Sequence, residues 1–241
     1  MKNVIFNGSD SKSRGLRILN WERDPLPEMR DQYEFLPNRH GFVFFGQPFG
    51  SRVNSVEFRL YSQTDRERQE KISEIMSWLH TSDLERLEFD DEPDIFYRGK
   101  LNETEVTNIT HFYTDFIVEW ICYPFKIAKE ESVEEFEMDG VNPVTINVGG
   151  TQETPPLINI TVLEDVTNFT ISVNDEELRY DGAIQTNNQI VIDTNELEFR
   201  LNDEIRILEL SGLLPILRPG SNEINVSVNA KTVISWRDYY K

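Results

Sequence analysis

The second half of this chain alternates aliphatic and small polar side chains with a period of two, and that pattern constrains its fold most. Ile158, Ile160 and Val162 alternate with Asn159 and Thr161, Phe169, Ile171 and Val173 with Thr170 and Ser172, and Ile224, Val226 and Val228 with Asn225 and Ser227. Successive side chains of a strand point to opposite faces, so this period predicts strands dry on one side and wet on the other. Leu197, Phe199 and Leu201 are expected to continue the pattern. Turns are marked by Asn174-Asp-Glu-Glu, Asp181-Gly182, Asn187-Asn188 and Pro219-Gly220. Many short strands at this spacing predict a two-sheet sandwich of jelly-roll type.

The first half mixes strands with one helix. Thr64-Asp-Arg-Glu67 has capping-box spacing, and Ile72, Ile75, Met76 and Leu79 then recur at helical positions, with His80 at the expected C-terminus. Val56, Phe58 and Leu60 alternate with Glu57 and Arg59, as in a half-buried strand. A long strand is predicted from Phe112 to Phe125, with Phe112, Phe116, Val118, Trp120 and Cys122 on its inner face. Its other face carries Tyr113, Asp115, Ile117, Glu119, Ile121 and Tyr123, too apolar for free solvent and too charged for a core. Such a face commonly meets another subunit or domain, which makes Tyr113, Asp115, Glu119 and Tyr123 candidate contacts. Between Arg23 and His40 lie three prolines and no regular period. A structureless connection of that length is uncommon unless it touches something, so it is a candidate interface arm carrying Arg23, Arg30, Tyr33 and Arg39. Arg23 and Arg39 are expected to serve assembly and to matter little for folding.

Domain organisation follows from a break in the acidic stretch 129–140. Residues 1–130 carry 17 Lys and Arg against 23 Asp and Glu, whereas residues 131–241 carry 7 against 20. The fold class is therefore mainly β with one helix in an N-terminal domain (1–130), followed by a C-terminal β-sandwich (131–241). A formal charge of −19 argues against a surface that grips nucleic acid, because phosphate binding needs clustered Lys and Arg. Acidity does not exclude passive contact, since a carboxylate-lined lumen would repel a passing duplex.

Chemistry is sparse. Cys122 is the only cysteine, so no disulfide framework exists, and a core position is expected for it. The N-terminal apolar stretch is too short for a signal peptide and no run approaches membrane-spanning length, so the expectation is synthesis inside a cell and no membrane insertion. His40, His80 and His111 lack metal-site spacing, and no nucleophile elbow, phosphate loop or dinucleotide fingerprint occurs. No catalytic residue, metal or cofactor is expected. The cluster Asp90-Asp-Glu-Pro-Asp94 reads as a solvated turn between two strands, and Trp120 and Trp236 read as core aromatics, with sugar stacking as the lesser alternative.

The residues resemble the siphophage distal tail protein family, often called Dit. The resemblance rests on order: Asn20-Trp-Glu-Arg-Asp-Pro25, Arg30, Tyr33 and Pro37-Asn-Arg-His-Gly41, then the helix ending Ser77-Trp-Leu79, the Leu84 to Tyr97 hairpin, and Cys122-Tyr-Pro-Phe125. Pro155-Pro156, Ile192-Asp-Thr194, Leu210-Ser-Gly-Leu-Leu-Pro215 and Leu217-Arg-Pro-Gly-Ser-Asn222 resemble its C-terminal domain. The resemblance implies a structural protein of the virion tail tip, assembled in the host bacterial cytoplasm as a hexameric ring. Its N-terminal domains would form a belt around a DNA channel, with galectin-like C-terminal domains outside. The implied partners are other copies of itself, the major tail tube protein, the tail-associated protein and the receptor-binding or baseplate proteins, with DNA passing unbound. Two rivals are a carbohydrate-binding module of the tail tip and a tail-associated hydrolase. The second half contains no His for a galectin-type sugar site, and nothing pairs two carboxylates for hydrolysis.

Overall fold

The computed structural model describes residues 2–206 and 208–241. The chain divides into two compact units, the residues through Ile127 with Lys241, and Ala128–Tyr240.

In the first unit the strands are β1 (Val4–Phe6), β2 (Ser9–Asp10), β3 (Leu16–Arg23), β4 (Gln32–Glu34), β5 (Val43–Gly46) and β6 (Arg52–Tyr61), then, after helix α1 (Asp65–Leu79), β7 (Glu85–Phe89), β8 (Ile95–Ile109), β9 (Tyr113–Cys122) and β10 (Lys126–Ala128). The main sheet runs β2-β1-β7-β8-β9-β6-β3. Burial along β6 alternates as its sequence predicts, with Val56, Phe58 and Leu60 turned into the core beside Phe116, Val118 and Trp120 of β9. Helix α1 closes that core. Thr64 caps it, its hydroxyl accepting from the Glu67 amide while the Glu67 carboxylate accepts from the Gln63 amide, and His80 ends it. Its apolar stripe lays Ile75, Trp78 and Leu79 on the sheet, where Trp78 packs edge-on against Phe6 and donates its Nε1–H to the Phe6 carbonyl at 2.9 Å.

Phe112 departs from expectation. It is 69% exposed and precedes β9, because the Thr110 hydroxyl accepts from the amides of Phe112 and Tyr113 and turns the chain there. Thr114 takes the inner position in its place. Cys122 is buried as expected, and burial pushes its thiol up to about 12. A side chain at Gly99 would meet its sulfur at 2.5 Å, which explains a glycine within β8.

The second unit is a sandwich. Its strands are β11 (Ser132–Asp139), β12 (Val144–Val148), β13 (Leu157–Val162), β14 (Phe169–Val173), β15 (Glu176–Tyr180), β16 (Gln189–Asp193), β17 (Glu198–Leu201), β18 (Glu204–Ile205), β19 (Leu210–Gly212), β20 (Gly220–Val226), β21 (Asn229–Trp236) and β22 (Tyr239–Tyr240). One sheet runs β11-β21-β13-β16-β17-β18 and the other β12-β20-β14-β15-β19. Their dry faces share one core, in which Ile158, Ile160 and Val162 meet Phe169, Ile171 and Val173 and Tyr180 stacks on Phe199 at 5.2 Å. The acidic stretch is itself an edge strand, β11, with Met138 buried and Glu135, Glu137 and Asp139 on the wet side.

Leu197 is corrected from strand to turn: its φ is 58°, and Asp193 accepts from the amides of Asn195 and Glu196 just before it. Asn222 gives the Arg-Pro-Gly-Ser-Asn run a physical reason. Fully buried, it accepts from the Arg218 amide at 2.8 Å, donates to the Arg218 and Gly220 carbonyls, and so fastens the turn opening β20.

Cutting Phe58 or Phe169 back to Ala should each cost about 3–5 kcal/mol, because each is fully buried in its unit's core. Denaturant unfolding followed separately by tryptophan fluorescence and by hydrogen exchange in each unit checks this. A loss under about 1 kcal/mol at either site would mean that its core closes without that ring.

Candidate subunit interface

The outer face of β9 is built by its ladders with β6 and β8. Side chains directly opposite one another in a ladder share a face, so Arg59 of β6 stands beside Asp115. The pair is bidentate, Nε to Oδ1 at 2.7 Å and Nη2 to Oδ2 at 2.8 Å, and the guanidinium lies 3.8 Å from the Tyr113 ring centre. Arg59 holds the Asp115 carboxyl below the usual carboxylate range, although burial opposes the shift. Asp115 is only 5% exposed. Asp115 and Tyr113 are therefore engaged within the chain, while Glu119 stays half-exposed and accepts from Asn102 at 2.5 Å. Tyr123 lies edge-on to Phe125.

The arm is not structureless. Its limbs bond each other, Glu28 to the Ser51 carbonyl, Gly50 to Glu28 and Arg30 to Pro48, and end in the hairpin β4–β5 with Tyr33 opposite Phe44. Tyr33, Phe35 and Phe42 form an exposed aromatic trio with ring centres 5.3–6.1 Å apart, and Phe44 and Phe45 are also exposed. Phe35 reaches 68%. A surface so apolar is the mark of a contact surface. Arg30 pairs with Glu28, and Arg39 is exposed at the tip, where its amide closes a turn on Leu36. Sequence reasoning found Tyr33 but missed Phe35, Phe42, Phe44 and Phe45. The signal was present in Gly-Phe-Val-Phe-Phe-Gly46, four bulky residues with no polar alternation.

Arg23, a candidate of the interface arm, has partners within the first unit. It ends β3, donates to Asp91 at 2.5 and 3.0 Å and to Glu92 at 2.8 Å, and lies over the Phe89 ring. Glu92 also accepts from Tyr97 and Lys126, both at 2.6 Å. Burial works against its charge, but Lys126, Tyr97 and Arg23 outweigh it and keep its carboxyl below the ordinary range. The acidic turn is thus a turn, as expected, yet Asp91 and Glu92 are tied to the fold. Trp120 and Trp236 are both buried, which removes them as sugar platforms.

With this geometry in view, residues 11–122 match the family model described as phage tail protein RIFT-related domain, and residues 149–240 match siphovirus-type tail component, C-terminal domain. The chain belongs to the siphophage distal tail protein family. No curated protein matches it by sequence. Among solved structures, it is similar to the Dit (gp 19.1) protein of phage SPP1, described as a paradigm of hub adsorption apparatus in phages infecting Gram-positive bacteria. The TM-score is 0.81 at 13% identity, covering 100% of both chains. A chain of the phage P2 baseplate, in its activated conformation with calcium, aligns with a TM-score of 0.51 at 9% identity, over 99% of this chain and 98% of that one. At such identities these likenesses speak for the fold, and the distal tail protein assignment rests on the two family models.

Replacing Arg23 by Ala should lower stability by about 1–3 kcal/mol, the range for charge-assisted hydrogen bonds, whereas Arg39→Ala should stay within about 0.5 kcal/mol. Urea unfolding decides, and equal effects would return Arg23 to the arm. Because the Glu92 carboxyl is depressed in the folded state, its stabilisation is present above the ordinary carboxylate pKa and is lost as pH falls through the folded value. The stability gap between the native chain and Glu92→Gln should therefore shrink below about pH 4. A gap that persists at pH 2 would refute the ionic reading.

Proposed function

We propose that this protein is the hub of a siphophage tail tip, a hexameric ring joining the tail tube to the tail-associated protein and the receptor-binding or baseplate proteins. Residues 1–130 form the belt and residues 131–241 the outer domains. DNA passes through the channel without specific binding, and the role is structural, with no catalysis. Assembly takes place in the host cytoplasm and the protein then resides at the tail tip of the virion.

The observation that carries this reading is the aromatic hairpin β4–β5, whose rings are presented to solvent and contribute nothing to either core. A closed ring repeats one head-to-tail contact, so each hairpin would clasp the next copy and a modest contact would be multiplied around the circle. The full-length likeness to a protein described as a hub paradigm supports the same reading. A carbohydrate-binding role finds no support in the buried Trp120 and Trp236.

Light scattering and electron microscopy of the purified protein, alone and with tail-hub partners, test it. Rings should form, and Phe35→Ser with Phe42→Ser should abolish them while thermal unfolding changes little. A strict monomer at high concentration, with and without partners, would sink the ring.

A further inference from the structure

The inner face of β6 turns polar at its first residues. The alternation that buries Val56, Phe58 and Leu60 also buries Asn54 and Arg52, both 0% exposed. The ladder with β9 sets Arg52 opposite Cys122 and Asn54 opposite Trp120. Asn54 donates to the Cys122 sulfur at 3.3 Å, but neither its Oδ1 nor the Trp120 Nε1–H has a partner among the described residues. Arg52 is the extreme case. Its Nε donates to the Pro124 carbonyl at 3.1 Å, while Nη1 and Nη2 both lack a hydrogen-bond partner among the described residues.

Counter-charge is short as well. A guanidinium keeps its charge wherever it is placed, and a buried one is stable only beside an opposite charge with its hydrogen bonds made. Arg52 has no ion-pair partner among the described residues, and the carboxylates around Tyr97 are already committed, Asp91 to Arg23 and Glu92 to Arg23, Lys126 and Tyr97 itself. Arg52, Arg23 and Lys126 therefore stand against Asp91 and Glu92 alone. The Tyr97 ring offers little, since its centre lies 5.9 Å from the Arg52 guanidinium and 6.0 Å from the Lys126 ammonium, the outer limit of a cation–π contact. Arg59, by contrast, lies 3.8 Å from the Tyr113 ring and has Asp115 to itself. In a chain of formal charge −19, one fully buried cation is left without an anion.

We propose that the Arg52 guanidinium binds a small monovalent anion, chloride, inside the first unit. A water molecule accepts free N–H groups but leaves the charge standing, whereas chloride accepts them and cancels it. The complete burial of Arg52 favours a monatomic ion over a phosphate or a carboxylate brought by another chain. With the ion in place, Arg52 holds the first residue of β6 to the Pro124 carbonyl, two residues before β10 begins. The site belongs to the fold of the first unit and stands independently of the ring.

Unfolding of the full chain in sodium chloride, replaced stepwise by sodium gluconate at constant ionic strength, tests the site. Above the dissociation constant of the ion, each tenfold rise in chloride should raise the folding constant about tenfold, and this slope should vanish in Arg52→Met. Crystals of the native protein grown in sodium bromide should give a bromine anomalous signal beside Nη1 and Nη2 of Arg52. Equal folding constants in chloride and gluconate, a chloride slope that survives in Arg52→Met, or water alone at the guanidinium would each overturn the proposal. Should Arg52→Met fail to fold, the slope of the native chain and the bromine signal still decide.

Discussion

The ladder between β6 and β9 supports the rest of the first unit. Its ten consecutive pairs run from Arg52 opposite Cys122 to Tyr61 opposite Tyr113 without a break in register. A one-residue slip would turn every side chain to the wrong face. Because the register holds, one face delivers Val56, Phe58, Phe116, Val118 and Trp120 to the core on which α1 sits, and the other delivers Arg59 to Asp115. β3 and β8 take their own registers from these two strands, so the charged residues of the outer face inherit their alignment from the hydrophobic pattern of the inner one.

Local patterns were legible wherever a period repeats. Alternation exposed β6, β9, β13, β14 and β20, and the Thr64 to Glu67 spacing marked the start of α1, because both signals depend on neighbours within a few residues. The pieces that escaped are those fixed from afar. Arg23 looked like an exposed arm residue because its partners Asp91 and Glu92 lie 68 and 69 positions away. Asp115 looked like a candidate contact because Arg59 is 56 positions upstream. The hairpin β4–β5 was hidden by its prolines and by strands of only three and four residues, too short to display a period. Of the candidate contact residues, Tyr33, Arg39 and Glu119 sit at the surface, while Arg23 and Asp115 are bound into the first unit.

Within the first unit, two surface features that burial does not explain are the aromatic hairpin and the like-charged pair of Glu103 directly opposite Glu119. Each runs against what a lone folded domain favours, the first by exposing rings and the second by setting like charges side by side. Local departures from the rules of folding are where a requirement from outside the domain leaves its trace.

The cluster around Glu92 has a mechanical meaning. Lys126 opens β10, along which the chain leaves the first unit after Ile127, and its ammonium is fastened to Glu92, which also accepts from Arg23 at the end of β3 and from Tyr97 on β8. Tension applied to the chain beyond this point meets that fastening before it reaches the hydrophobic interior. The load divides between two strands, β3 and β8, that are themselves laddered into the sheet. A unit tethered in this way resists being peeled from its exit strand.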